Sequence, residues 1–219
     1  MEGIIFESGI IETRAAVTAS VWSVIAKELG KECHKEEDKG KIMWAEGKFA
    51  NYLEWMEYTI YLHKKYGLTM EKFYKIINRV EYIKGAKEVF KELKKKGYKT
   101  CVISGGFKNL ANRAIRDLDI DHVFAGAEYF FDDKTGKLVS WNLIPSDYIG
   151  KVDFMRLMMR EYKIKPENCA FLGDGVNDIA LAKQVGVSIA FNGREELQKV
   201  TTHAINQKEK DLRGILKFF

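Results

Sequence analysis

From Gly85 to the last residue, short apolar runs of strand character alternate with stretches of helical periodicity, and this alternation limits the fold most tightly. Ala86, Val89, Phe90 and Leu93 recur at i, i+3, i+4 and i+7, one face of a helix that Gly97 ends. TCVIS (100–104) follows as a strand, a Gly-Gly turn leads to a helix from about Lys108 to Leu118, and HVFAG (122–126) is a further strand. EYFFDDKTGKLVSW has the pattern of a hairpin turning at Asp-Lys-Thr-Gly. A helix from about Ile149 to Tyr162 precedes the strand CAFLG (169–173), and another near 177–185 precedes VSIAF (187–191). A short helix and strand then lead to a final helix over 209–217. Strands alternating with helices predict a parallel sheet covered by helices on both faces, an α/β fold.

The first residues add one strand and a question. Ile4, Ile5 and Phe6 are expected to form the first core strand, which runs directly into Glu7, Ser8 and Gly9. Residues 12–82 then hold no convincing strand, only helical stretches rich in aromatics such as Trp22, Trp44, Tyr52, Trp55, Tyr58 and Phe73, which suit a helical bundle core. The expected organisation is therefore an α/β core from 1–11 and 83–219, with a small helical insert, 12–82, placed after the first strand.

Composition narrows the class of function. A chain of 219 residues with 46% hydrophobic and 31% charged residues can bury one good core and is not disordered. No apolar run approaches the roughly 20 residues of a membrane helix, so a cytoplasmic protein is expected. The three cysteines share no metal-ligand spacing, and Cys101 and Cys169 open apolar runs as small hydrophobes. The net charge of +5 comes with lysines spread over helix faces such as KEVFKELKKKG, which argues against nucleic acid as a partner.

In an open parallel sheet, ligands bind at the carboxyl ends of the strands. Those ends carry Glu7, then Ser104-Gly105-Gly106, then Asp174-Gly175-Val176-Asn177-Asp178, while Lys151 begins the helix before the strand at 169. Ser104 offers a hydroxyl, and the glycines let backbone N–H groups approach an anion. Lys151 can neutralise phosphate charge, Asn177 supplies an amide donor, and Asp174 and Asp178 offer hard oxygens to one Mg²⁺ or its waters. Each feature alone is an ordinary turn or cap; the ordered set is what carries the reading.

CVISGGF, the later GK and FLGDGVNDIALAKQVGVSIAF resemble the second, third and fourth motifs of the haloacid dehalogenase (HAD) superfamily, most of all its phosphoserine phosphatase-like branch. The resemblance runs from about Gly85 to Phe219, with EGKF (46–49) a fainter echo in the insert. It implies a Rossmann-like parallel-sheet core, a helical cap inserted after the first strand, and Mg²⁺-dependent hydrolysis of a phosphate ester through an aspartyl-phosphate. By motif, Ser104, Gly105, Lys151 and Asn177 would hold the phosphate, Asp174 would ligate Mg²⁺, and Asp178 would order the metal's water shell.

The family's first motif is a strand followed by Asp-x-Asp, a nucleophile and metal ligand followed by an acid–base group. Aligned on GIIF, Glu7 takes the first position and Gly9 the second, so the resemblance makes Glu7, Gly9 and Lys151 the catalytic set and Glu7, Gly9, Asp174 and Asp178 the metal set. The longer glutamate displaces its oxygens by about 1 Å, a shift that can cost ~10²-fold in rate. Gly9 keeps a carbonyl but no acid, a loss of ~10²- to 10⁴-fold unless Glu12 substitutes. Substrate-gripping positions of the family's cap fall on Ala16 and Tyr58, with Glu12 and Arg14 nearby. Two outcomes follow from the motifs: a slow Mg²⁺-dependent phosphatase acting on a small phosphorylated metabolite, or a silenced homologue that binds a phosphorylated ligand without turnover.

Overall fold

The computed structural model describes residues 1–7 and 20–219. A two-residue strand β1 (Phe6–Glu7) is followed by four helices, α1 (Val21–Leu29), α2 (Lys31–Ala45), α3 (Tyr52–Lys65) and α4 (Met70–Arg79). Three of these start where a short polar side chain caps a free backbone N–H: Ser20 for α1, Asn51 for α3 and Thr69 for α4. The aromatics expected to form a bundle core divide between two surroundings. Phe73 is buried against Phe107 and Tyr129 of the sheet, whereas Trp44 and Trp55 stay half-buried.

A short strand beyond those expected, β2 (Glu81–Tyr82), closes the helical block, and the alternating half follows: α5 (Ala86–Lys95), β3 (Cys101–Phe107), α6 (Lys108–Leu118), β4 (His122–Phe131), which merges the strand expected over 122–126 with the first arm of the hairpin, β5 (Leu138–Leu143) and α7 (Ile149–Tyr162). Then come β6 (Ala170–Gly173), α8 (Ile179–Ala182), β7 (Val187–Phe191), α9 (Glu195–Gln198) and β8 (His203–Ile205). β3 and β4 are parallel, β4 and β5 form the antiparallel hairpin, and β6, β7 and β8 are parallel. In the hairpin turn the Asp132 carboxylate accepts from the backbone N–H groups of Lys134 and Thr135. The last helix expected over 209–217 is a 3₁₀ helix over Leu212–Phe218, started by Asp211, whose carboxylate accepts from Arg213 N.

The expectation for the first strand is corrected. Ile4, Ile5 and Phe6 are buried, as the apolar run predicts, but they do not join the parallel sheet. Gly3, at φ +79°, turns the backbone, so that Gly3 N donates to Phe6 O and Ile5 N to Met1 O, both at 2.8 Å. The chain folds back on itself, and Phe6 and Glu7 pair antiparallel with Tyr82 and Glu81. Apolar sequence reports burial; which edge a strand joins is set by backbone pairing.

Among the described residues no strand lies between β3 and β6, each of which pairs on one side only. A cavity of about 390 Å³ separates them, with Cys101, Val102 and Ile103 on one edge and Ala170, Phe171 and Leu172 on the other. Ile4 and Ile5, Val89 and Phe90 of α5, and Met155 and Met159 of α7 contribute to its apolar lining. Filling that space stabilises the fold: Ala170→Leu is expected to gain about 0.5–2 kcal/mol. Urea unfolding at unchanged m-value measures it, and an unchanged or lower midpoint would show that the two strands already close the gap in solution.

Candidate active site

The site is assembled where β3 kinks and where β6 ends. Between Ser104 and Phe107 the pairing of β3 with β4 shifts register, a bulge-like irregularity that falls on Gly105 and Gly106. Ser104 is buried; its hydroxyl accepts from Gly106 N at 3.1 Å, and its carbonyl accepts from the Ser146 hydroxyl at 2.7 Å. That second bond ties the loop before α7 to the Ser-Gly-Gly turn. A side chain at Gly105 would collide with the Tyr52 hydroxyl and come within 2.8 Å of Asp147 Oδ2, so the position needs a residue without a Cβ.

Lys151, in the first turn of α7, is only 5% exposed and lies between two carboxylates. Its ammonium donates to Asp178 Oδ1 at 2.5 Å and pairs with Asp147 Oδ1 at 3.1 Å. Burial works against the charge, but Asp178 and Asp147 overcome it and hold the lysine above its ordinary range. Asp178, also buried, spends its other oxygen on Asp174 N and Gly175 N, at 2.9 and 3.0 Å. Burial raises its pKa, yet Lys151 and those N–H donors win and leave it below the usual carboxylate value. Asn177 donates to Asp147 Oδ1 at 2.6 Å. Lys151 and Asn177, the two donors expected for phosphate, therefore converge on one carboxylate beside Gly105.

Asp174 differs from Asp178. No hydrogen bond to its side chain exists among the described residues, and burial pushes its carboxyl pKa up, with Asp178 adding to the effect. Gly3 lies against it: a Cβ there would overlap the Asp174 carboxylate. The turn over residues 1–6 thereby brings Glu2 into the site. Val21 N, at the start of α1, donates to Glu2 Oε1. A Cβ on Gly106 would lie 3.2 Å from Glu2 Oε2 and 3.3 Å from Ser104 Oγ, so the glutamate borders the Ser-Gly-Gly turn. Burial, reinforced by Asp174, raises the Glu2 carboxyl pKa against the opposing Val21 N–H.

Of the residues singled out in the sequence, the fold brings together Ser104, Gly105, Lys151, Asp174, Asn177 and Asp178. Glu7 is not among them: its side chain is 45% exposed and pairs with Lys210 at 3.6 Å, and Lys210 is one of the cations acting on Asp174. Gly9, Glu12, Arg14 and Ala16 lie outside the described residues. Tyr58, the other cap position, donates its hydroxyl to Glu36 O at 3.2 Å, within the helical layer. Sequence reasoning missed Asp147, Glu2, Tyr52 and Trp22, whose indole N–H donates to Gly105 O at 3.3 Å. Asp147 stands four residues before Lys151, an ion-pair spacing that could have drawn attention to it; nothing in the sequence points to Glu2.

Donors and carboxylates gathered at the carboxyl ends of parallel strands are the arrangement by which open α/β sheets receive anionic ligands. The chain belongs to the haloacid dehalogenase-like hydrolases, whose family model matches residues 11–186. It is 32% identical over 193 residues to a phosphoserine phosphatase of Methanocaldococcus jannaschii, covering 87% of this chain and 88% of that protein. A phosphoserine phosphatase of Archaeoglobus fulgidus is also 32% identical, over 152 residues, and there the match spans only 44% of the relative's length. A phosphoserine phosphatase solved as a phospho-aspartyl intermediate analogue superposes with a TM-score of 0.76 at 31% identity, covering 91% of each chain. A substrate-bound phosphoserine phosphatase complex matches equally well. The Rossmann-like core with added helices is thus shared, and the branch is the phosphoserine phosphatase-like one.

Proposed function

We propose that the protein hydrolyses a small phosphomonoester with Mg²⁺ as cofactor, in the manner of a phosphoserine phosphatase, with residues 12–82 acting as the cap. The observation that carries this is the convergence of Lys151 Nζ and Asn177 Nδ2 on the Asp147 carboxylate beside Gly105. A carboxylate held by a buried ammonium and an amide marks the place of an anion, and a phosphoryl group displacing Asp147 would find the same donors. Trp22 and Tyr52 reach Gly105 from α1 and α3, which supports a covering role for the helices.

Asp174 fits a divalent cation: it is half-buried, its side chain has no hydrogen bond among the described residues, and burial disfavours its charge against the opposing pull of the N-terminal ammonium. Asp178 has both oxygens engaged and serves to fix the loop and Lys151. When bound, Mg²⁺ supplies charge stabilisation to the phosphoryl oxygens. Hydrolysis breaks the ester P–O bond, makes a P–O bond to the oxygen of a water molecule, and requires a proton on the leaving oxygen. Glu2, whose carboxyl favours the protonated form more than an ordinary glutamate, borders the cradle and is suited to give that proton. Glu7 is tied to Lys210 and takes no part.

The test is Mg²⁺-dependent phosphate release from a panel of phosphomonoesters. Asp174→Asn is expected to lower the rate by more than ~100-fold, and Glu2→Gln by ~10²- to 10⁴-fold. Glu7→Gln, which removes only a half-exposed ion pair, is expected to stay within about twofold. A large loss on Glu7→Gln with none on Glu2→Gln would reverse the assignment of the two carboxylates. Turnover indifferent to Asp174→Asn would remove the proposed site altogether.

A further inference from the structure

Resting on the phosphatase reading, we infer that the substrate's alcohol is a flat aromatic group, received by a roof of Trp44, Tyr52, Trp55 and Tyr148 beside the anion position. The rings of Trp44 and Trp55 stack with centroids 5.0 Å apart and planes within 8°. Tyr52 meets them edge-on at 6.1 and 6.0 Å, and Tyr148 lies 5.6 Å from Trp44 and 5.8 Å from Tyr52. The Trp44 indole N–H donates to the Tyr148 hydroxyl at 3.2 Å, fixing the two rings relative to each other.

Two features connect this roof to the anion position. The Tyr52 hydroxyl stands over Gly105, and Tyr148 directly follows Asp147, the carboxylate that Lys151 and Asn177 grip. Tyr148 has φ +46°, a left-handed conformation that is costly for an aromatic residue, so the fold maintains its position against strain.

The roof is not ordinary core. Trp44, Trp55 and Tyr148 belong to none of the buried hydrophobic clusters among the described residues, and all four rings are half-buried. A half-open aromatic surface beside a polar cradle suits a ligand with an anionic end and an apolar, planar body. Lys48 and Glu46 pair with each other at the surface, and Glu54 accepts from Ala50 N at the start of α3. Among the described residues the roof therefore presents rings.

The experiment measures both binding and turnover with 1-naphthyl phosphate, O-phosphoserine and inorganic phosphate. Quenching of tryptophan fluorescence reports binding, and released phosphate reports turnover. The expected result is about tenfold tighter binding and lower KM for 1-naphthyl phosphate than for O-phosphoserine. Trp55→Leu, and separately Trp44→Leu in case the first variant misfolds, should remove that preference while leaving inorganic phosphate binding unchanged. Equal or better binding of O-phosphoserine, or a preference for naphthyl phosphate that survives both variants in folded protein, would overturn the inference. Aromatic preference in binding without release of phosphate from any ester would uphold the roof and defeat the phosphatase reading, so the two failures are distinguishable.

Discussion

Replacing Lys151 by methionine is expected to lower stability by about 3–5 kcal/mol, a large share of what a domain of this size possesses. Lys151 is almost fully buried and bonded to Asp178, and it pairs with Asp147. Methionine keeps most of the volume of the side chain, so the loss is electrostatic: two carboxylates remain close together and without their cation. The backbone donors on Asp178 cannot compensate, because they are present in the parent and already counted. Adding Asp178→Asn to Lys151→Met should recover part of the loss, since a neutral amide no longer needs the ammonium. Urea unfolding of the parent, the single variant and the pair measures both effects. A loss below ~1 kcal/mol for Lys151→Met would mean that water, not the lysine, neutralises these carboxylates.

The second large effect is a pH dependence centred on His63. Its ring is fully buried, Nδ1 is 2.8 Å from the Tyr129 hydroxyl, and Nε2 has no well-formed hydrogen bond among the described residues. Burial pushes its pKa down from 6.5 to about 3, against a smaller opposing contribution from the backbone at Trp22. Below pH 6.5 the unfolded chain binds a proton at this histidine that the folded protein refuses. Stability contributed by the neutral ring is thus complete above pH 6.5 and is lost as pH falls from 6.5 towards 3. The slope reaches about 1.4 kcal/mol per pH unit, on the order of 4–5 kcal/mol over the window.

The raised carboxyls of Glu2 and Asp174 act in the opposite sense, favouring the fold on the acid side of their own titrations. Those contributions are common to parent and variant, so the comparison with His63→Phe isolates the histidine. The variant leaves the Tyr129 hydroxyl unpaired, which lowers stability at every pH by about 1–3 kcal/mol, but its melting temperature should change far less than the parent's between pH 6.5 and 4.5. Parallel curves for the two proteins would show that His63 protonates inside the fold.

Much of the site was legible in the sequence because its parts are local. GDGVND bends after a strand within a few residues, and backbone donors at Asp174 and Gly175 reach Asp178 over a span that any chain with that spacing would repeat. CVISGG announces a strand that ends in a backbone able to approach an anion, and Lys151 stands in the first turn of a helix whose periodicity is plain. The residues that escaped notice act across long separations. Tyr52 reaches Gly105 from the helical layer, and Trp22 bonds to the same residue across 83 positions. The apolar run Ile4–Phe6 reads as a complete strand with Glu7 at its end, and nothing in that pattern draws attention to Glu2. In the fold, Gly3 turns the backbone, and the carboxylate before the run enters the site while the one after it pairs with Lys210.

By itself the sequence determined the alternation of strands and helices, the helical block before it, and the candidate set Ser104, Gly105, Lys151, Asp174, Asn177 and Asp178 that the fold gathers, because periodicity, capping and short-range spacing act within a few residues of chain. Only the tertiary structure decided which strand edges pair, that Asp147 lies between Lys151 and Asn177, and which glutamate borders the Ser-Gly-Gly turn. Those outcomes depend on backbone pairing and on the charge balance of buried groups, and both are settled by neighbours that are distant in sequence.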